Sequence, residues 1–467
     1  MEPVPQAVPP DAGATPQSQA SFFEQRARAH YLRGDYPATV AALQECMATG
    51  AVPDNKDLRM RLLILQSYRR FGRMDSADAE LKKLEERYGH SSEAFIQNLL
   101  LNEREISEGA VELKSFPTRI TVRPTNRCSI HCIMCTIWKE QPWEIPPERL
   151  AEVAALYPYM EDVLWQGGEV FEMDREVLEG IILKGVAYPR LLQNIITNGQ
   201  NIDERWADAL VRANVHIKIS IDGATAEVYE RIRVGAKFAN ILKSVENLHS
   251  AMERQNRRIR LWIHMVVQKF NYHEIEAMVE FAREHGFDGV AFSPMEEGTD
   301  QRRVFDIFNY GDDRRVWAEV EAQRVRAREK SLRYGLYLED NLPSPHTLEE
   351  SPHALAEPED QKRFSLLPVP KDDGSRYAEP QYSYFCLSPW KNLILRNGGD
   401  VFPNWHCGER SLGNMHQHSI MDIWNGPVMR NVRQAIQDQR FGGLCRKFCL
   451  SGALMEPWKH QMEWYWS

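Results

Sequence analysis

Between residues 115 and 340 the chain switches repeatedly between two hydrophobic periods. Short apolar and β-branched runs at Arg119–Val122, Asp162–Trp165, Gln193–Thr197, Val215–Ile221, Arg260–Val267 and Gly289–Ser293 read as strands. Between them, Pro147–Leu156, Glu176–Lys184, Glu204–Arg212, Phe238–Met252 and His273–His285 repeat apolar residues every three or four positions and predict helices. Strand and helix in alternation predict parallel strands joined by right-handed crossovers, so the fold class is α/β.

The flanks have other patterns. Residues 1–20 are rich in Pro, Ala and Gln, lack a hydrophobic period and predict a disordered tail. Over 21–114, Ala27, Tyr31, Tyr36, Val40 and Leu43 fall at helical spacing around a break at Gly34-Asp35, and Leu62, Leu65, Tyr68, Ala77 and Leu81 repeat the theme around Gly72. This resembles a pair of tetratricopeptide-type hairpins, with Ser92–Leu113 as a further helix. It serves either as a docking surface for a protein partner or peptide, or as a helical cap on the next domain. Arg314–Lys330 predicts a charged helix and Tyr337-Leu338 a short edge strand. Residues 341–380, proline-rich and acidic, form a linker or lid. In 381–467, Asn392–Arg396 and Val401–Pro403 predict a hairpin about the Asn397–Asp400 turn, followed by a helix over Ile420–Gln437.

Composition narrows the function. A chain of 467 residues has room for two or three domains. Lys and Arg total 57 against 66 Asp and Glu, a net charge of -9, which argues against a nucleic-acid partner. No run approaches the ~20 apolar residues of a membrane span. The N-terminus lacks the charged start and apolar middle of a secretion signal, so a cytoplasmic location is expected. In that compartment the eight cysteines read as metal or redox ligands before disulfides. Seven fall into two groups, and Cys46 stands apart on an apolar helix face as a buried structural thiol.

The first group is Cys128, Cys132 and Cys135 in NRCSIHCIMCTIW, after the first strand. Three thiolates so close on one loop can hold one centre with an open coordination site, and the spacing favours an iron-sulfur cluster over a structural zinc knuckle. Gly167-Gly168-Glu169 follows the second strand: the glycines admit close backbone approach, and the carboxylate can accept from an ammonium group. Thr197-Asn198-Gly199 closes the third strand. In KISIDG, Ser220 and Asp222 share a face by the strand period of two, and Arg233 follows in YERIR. The second group is Cys386, Cys407, Cys445 and Cys449, around the hairpin and after the last helix. Four thiolates imply a closed centre, zinc or 4Fe-4S, with His406 as a substitute ligand.

This succession resembles the radical S-adenosylmethionine (SAM) superfamily, whose fold is a partial (β/α)6 barrel. The resemblance implies that Cys128, Cys132 and Cys135 hold a 4Fe-4S cluster whose fourth iron chelates SAM. By the same resemblance Gly167, Gly168 and Glu169 receive the methionyl amino group, Asn198, Ser220 and Asp222 face SAM, and Arg233 pairs with its carboxylate. Met134 stands where the family places an aromatic residue near the adenine. CLSPW, the turn, GNM and IMDIWN look like the SPASM and twitch auxiliary-cluster domains, which implies a second 4Fe-4S cluster; four cysteines suggest the single-cluster form.

The chemistry implied is reductive SAM cleavage to a 5′-deoxyadenosyl radical that abstracts a substrate hydrogen, with the auxiliary cluster accepting an electron and a flavodoxin- or ferredoxin-type protein as donor. The leading expectation is an oxidoreductase or modifying enzyme acting on a small, polar, sugar-like metabolite. The alternatives are a peptide-modifying maturase and a nonenzymatic metal-bearing scaffold. No catalytic acid, base or radical relay is identified. His264 and Gln268, on one face of the fifth strand, and Glu296 after the sixth are pocket candidates.

Overall fold

The computed structural model describes residues 15–32, 34–70, 72–295, 302–308, 314–343, 386–404, 407 and 411–438. Glu296, His406, Cys445, Cys449 and residues 344–380 of the expected linker lie outside them.

Five helices come first: α1 (Pro16–Leu32), α2 (Tyr36–Ala48), α3 (Asp54–Arg70), α4 (Met74–Tyr88) and α5 (Ala94–Ser107). The helix start corrects the expected tail, since residues 16–20 are helical. Thr15 caps them, its hydroxyl accepting from the Ser18 N–H at 3.2 Å, and Pro16 takes the first position, where a missing N–H costs nothing. Gly34 and Gly72 make the hairpin turns at φ of +76° and +74°, a region that favours glycine. The expected periodic residues Ala27, Tyr31, Val40, Leu43, Leu62, Leu65, Ala77 and Leu81 are buried between the helices. Cys46 is buried with them, its thiol donating to the Ala20 carbonyl at 3.2 Å.

Twelve strands follow among the described residues: β1 (Arg119–Val122), β2 (His131–Cys132), β3 (Asp162–Trp165), β4 (Leu192–Thr197), β5 (Val215–Ser220), β6 (Arg233–Val234), β7 (Leu261–Val266), β8 (Gly289–Ser293), β9 (Tyr337–Asp340), β10 (Asn392–Leu395), β11 (Asp400–Phe402) and β12 (Gly413–Asn414). The six expected strands, β1, β3, β4, β5, β7 and β8, lie side by side in that order, all parallel. Between and after them run α6 (Pro147–Ala155), α7 (Arg175–Lys184), α8 (Glu204–Arg212), α9 (Ala226–Ile232), α10 (Phe238–Gln255), α11 (Ile275–Glu284), α12 (Arg302–Phe305) and α13 (Arg314–Tyr334).

The sheet does not stop at six strands. β9 joins β8 in parallel, and β10 joins β1 in parallel at the other side, carrying β11 and β12 antiparallel beyond it. The C-terminal hairpin therefore belongs to the same ten-stranded sheet. All four residues of β10 are buried, as a strand inside a covered parallel sheet requires. The helix expected over Ile420–Gln437 is two, Ile420–Trp424 and Pro427–Gln437. Pro427 cannot donate an N–H to continue the first, and it starts the second instead.

Register separates the two faces of the sheet. Ile120, Val163, Ile195, Ile217, Ile263 and Val290, in or adjacent to one another's register, are buried and apolar. The opposite face carries Asn194, His216, Lys218, Ser220, His264, Ser293 and Glu339, a mixed polar set.

The N-terminal helices pack where the parallel strands begin. The Asn98 amide donates to the Phe116 and Tyr159 carbonyls at 3.2 and 3.0 Å, and Asn102 to the Trp390 carbonyl at 2.7 Å. Glu93 pairs with Arg190, two residues before β4, and Arg28 lies 4.7 Å over the ring of Tyr337, the first residue of β9. This places the helices as a cap on one end of the sheet, away from the cysteine triplet. No helix among the described residues is long and apolar enough to cross a membrane.

Candidate active site

The cysteine triplet lies in the loop between β1 and α6, at the C-terminal end of the parallel strands. Parallel sheets gather their chemistry at this end because every strand there turns into a loop. Asn126 pins the loop: its amide donates to the Gln141 carbonyl at 2.8 Å and accepts from the Trp143 N–H at 2.9 Å. Cys132 sits in β2, directly opposite Arg233 of β6. The Cys135 N–H closes a turn on the Cys132 carbonyl at 3.1 Å.

Gly167 and Gly168 press against this loop. The Gly168 N–H donates to the Thr125 carbonyl at 3.0 Å and the Glu169 N–H to the Arg127 carbonyl at 2.7 Å. A Cβ on Gly168 would stand 2.3 Å from the Arg127 carbonyl oxygen and 2.5 Å from the Asn126 carbonyl carbon. Backbone, not a flexible side chain, fills that space. Gly168→Ala is therefore expected to cost on the order of 1–3 kcal/mol and to displace the loop. A lower melting temperature together with reduced bound iron checks this; unchanged values for both would refute it.

Glu169 is fully buried and already committed. It accepts from the Thr197 hydroxyl at 2.7 Å, the Asn198 N–H at 2.6 Å and the Phe171 N–H at 3.3 Å. Burial pushes its carboxyl up to about 7 despite those donors. Its visible work is to hold Asn198, whose side-chain amide reaches the Cys128 sulfur at 3.7 Å and the Ser129 hydroxyl at 3.3 Å.

Asp222 is buried at the end of β5. One oxygen accepts from the Val266 N–H at 2.8 Å and the other pairs with Arg233 at 2.8 Å. Arg233 also donates to the Cys132 sulfur at 3.7 Å. Met134 lies 3.8 Å from the Gln268 amide nitrogen, and the Gln268 amide oxygen is buried without a partner. Burial pushes the Cys128 thiol up and the Cys132 thiol up to about 12, with Arg233 pulling Cys132 the other way. Thiols in such a dry setting lose their protons readily only to a metal centre.

Two partial domain matches accompany this geometry. Residues 122–282 match the radical SAM superfamily, and residues 386–449 match SPASM, an iron-sulfur cluster-binding domain. The chain carries a radical SAM domain. That domain supports the expectation of an enzyme over that of a nonenzymatic scaffold. Among solved structures, the chain is similar to Streptococcus suis SuiB bound to S-adenosylmethionine, at 15% identity over 82% of this chain and 84% of that one, with a TM-score of 0.50. It is also similar to anSMEcpe with bound AdoMet, at 15% identity over 68% and 82%, with a TM-score of 0.46. No curated protein sequence matches the chain.

The radical SAM and SPASM domains imply 4Fe-4S clusters and SAM as cofactors, and the residues of the chain fit them. The triplet offers three soft donors, and the buried Gln268 oxygen and Arg233 Nε are polar atoms without partners.

At the second group, Asn404 bonds the Ser388 hydroxyl at 3.1 Å, and the Cys407 N–H bonds the Asn404 carbonyl at 3.3 Å, which brings the segments bearing Cys386 and Cys407 together. Cys386 precedes β10 and so belongs to the opposite end of the sheet from the triplet.

His264 is in register with Ser220 and bonds the Ser293 hydroxyl at 3.0 Å, on the polar face. Gln268 lies just past the end of β7, beside Met134. Two site residues escape the sequence reading. Ser129 gives no signal beyond lying next to Cys128, whereas Lys218 shares the strand parity of Ser220 and Asp222 and was open to the same reasoning.

Proposed function

We propose that this enzyme abstracts a hydrogen atom from a small polar metabolite held against the inner face of the sheet. The observation that carries this reading is the polar character of that face: Asn194, His216, Lys218, Ser220, His264 and Ser293 lie on it between the end bearing Cys128, Cys132 and Cys135 and the end bearing Cys386. When bound, the first cluster and SAM supply homolytic hydrogen abstraction, and the second cluster supplies an electron acceptor. Cys128, Cys132 and Cys135 would hold the first cluster; Cys386 and Cys407, with Cys445 and Cys449, the second. Met134, Gly167, Gly168, Asn198, Ser220 and Arg233 would line the SAM site, with Glu169 orienting Asn198 from behind. His264, whose ring nitrogen meets the Ser293 hydroxyl, would orient substrate hydroxyls or amines.

A peptide substrate is the second reading. It is favoured by a cavity of about 510 Å³ between the helical cap and the barrel, lined by Glu85, His90, Arg104, Lys114, Phe116 and Tyr159. SuiB, of similar fold, has been crystallised with its precursor peptide SuiA. Anaerobic incubation with deuterated polyols and deuterated peptides, following deuterium into 5′-deoxyadenosine, separates the two. Transfer from a polyol supports the first reading, whereas transfer from a peptide alone overturns it.

A further inference from the structure

We propose that Arg233 is a positioning residue of the first cluster: held by Asp222, its guanidinium donates to the Cys132 thiolate and raises the cluster's reduction potential whether or not SAM is bound. The resemblance assigns Arg233 to the SAM carboxylate, a contact that exists only in the complex. The geometry shows a further contact, from Arg233 to the Cys132 sulfur, made between protein atoms.

The three groups form a line. Cys132 and Arg233 face each other across the β2–β6 pair. One guanidinium nitrogen stands 3.7 Å from the Cys132 sulfur and another 2.8 Å from Asp222. Their exposures are 8%, 6% and 0% for Cys132, Arg233 and Asp222, so water does little to screen them. Asp222 is itself fixed: the Val266 N–H donates to its side chain at 2.8 Å, and the Asn271 amide to its carbonyl at 2.9 Å. The guanidinium is thereby held against the sulfur.

Hydrogen bonds to the sulfurs and nearby charge are levers on cluster potential. Reduction adds a negative charge, which a cation at the thiolate stabilises. Arg233 should therefore ease reduction, and Asp222, sharing the same cation, should moderate it. The buried Arg233 Nε, without a partner, leaves a donor for SAM as well. The two roles are separable because only one acts in the SAM-free protein.

The inference rests on the triplet holding a cluster, which iron content and visible absorbance check independently in every variant. The test is an anaerobic redox titration of the full-length reconstituted protein followed by electron paramagnetic resonance, without and with SAM. The first cluster is identified by the change in its signal on SAM addition. Without SAM, Arg233→Gln is expected to move the midpoint to more negative potential, so that the reduced-to-oxidised ratio at a fixed poise falls about tenfold, equivalent to about 59 mV for one electron. Asp222→Asn is expected to move it to more positive potential, and Arg233→Lys to stay nearer the unsubstituted protein. If Arg233→Gln fails to fold or to bind iron, Asp222→Asn and Arg233→Lys still decide. Equal SAM-free midpoints in all folded variants, with only SAM affinity reduced, would overturn the proposal and leave Arg233 as a carboxylate clamp alone.

Discussion

Glu103→Gln is expected to lower the unfolding free energy by about 3–5 kcal/mol, the cost of leaving buried charges without their counter-ion. Glu103 on α5 is fully buried and joins three parts of the chain. It pairs with Arg69 of α3, accepts from Lys391 at 2.6 Å just before β10, and accepts from Gln66 at 3.2 Å. Lys391 lies 4.0 Å from Glu161, which accepts from Arg119 of β1 at 2.6 Å. Arg69, Glu103, Lys391, Glu161 and Arg119 thus form one buried network under the sheet.

Burial alone would push the Glu103 carboxyl up, but Lys391, Arg69 and the hydrogen bonds outweigh it and hold it down at about 2. The folded value lies below the ordinary 4.5, so the unfolded chain binds the proton first as pH falls. The stabilisation is complete above about 4.5 and is lost as pH falls toward about 2. Urea unfolding of both proteins checks this, since their difference isolates Glu103 from other carboxylates. It should be large at neutral pH and shrink through that acid window. A difference below 1 kcal/mol at neutral pH would show that the network is not buried as described. Deleting residues 1–114 would therefore strip Lys391 of its Glu103 counter-ion.

Cys132→Ala is expected to abolish 5′-deoxyadenosine formation and to lower bound iron from about eight to about four atoms per chain. A cubane held by two thiolates loses a covalent anchor, and no described residue stands ready to replace it. Arg233, opposite, is a cation and cannot ligate. The second cluster should survive, because Cys386 and Cys407 are attached to β10, β11 and their flanking helix. Cys46→Ala is the control: its thiol is buried in the N-terminal helices and donates to the Ala20 carbonyl, so it should cost packing energy while leaving iron and SAM cleavage unchanged. Retained SAM cleavage in Cys132→Ala would remove the triplet from the chemistry.

The six parallel strands and their order were legible because strand and helix periods are local properties, visible within ten or fifteen residues. The triplet after β1 and the loop motifs after β3, β4 and β5 were legible for the same reason. Three features were not. α1 begins at Pro16 in a stretch whose composition reads as tail, because one cap and distant packing against α2 decide it. Nothing local marks Glu103, Arg69, Lys391, Glu161 and Arg119 as buried, since burial of a charge depends on partners up to 288 positions away. The protein partners of Glu169 and Arg233, which are Asn198, Asp222 and Cys132, were not legible either. Spacing shows that a carboxylate or a guanidinium is at the right end of a strand, but not which neighbour reaches it first.

By itself, the sequence determined an α/β chain with three thiols on the loop after the first strand and four more near its end. Only the tertiary structure decided that β10 lies beside β1, that the N-terminal helices cap the strand starts, and that Arg233 rests on Cys132. Those contacts join segments distant along the chain, and their stability comes from shared burial and charge pairing that no local period encodes.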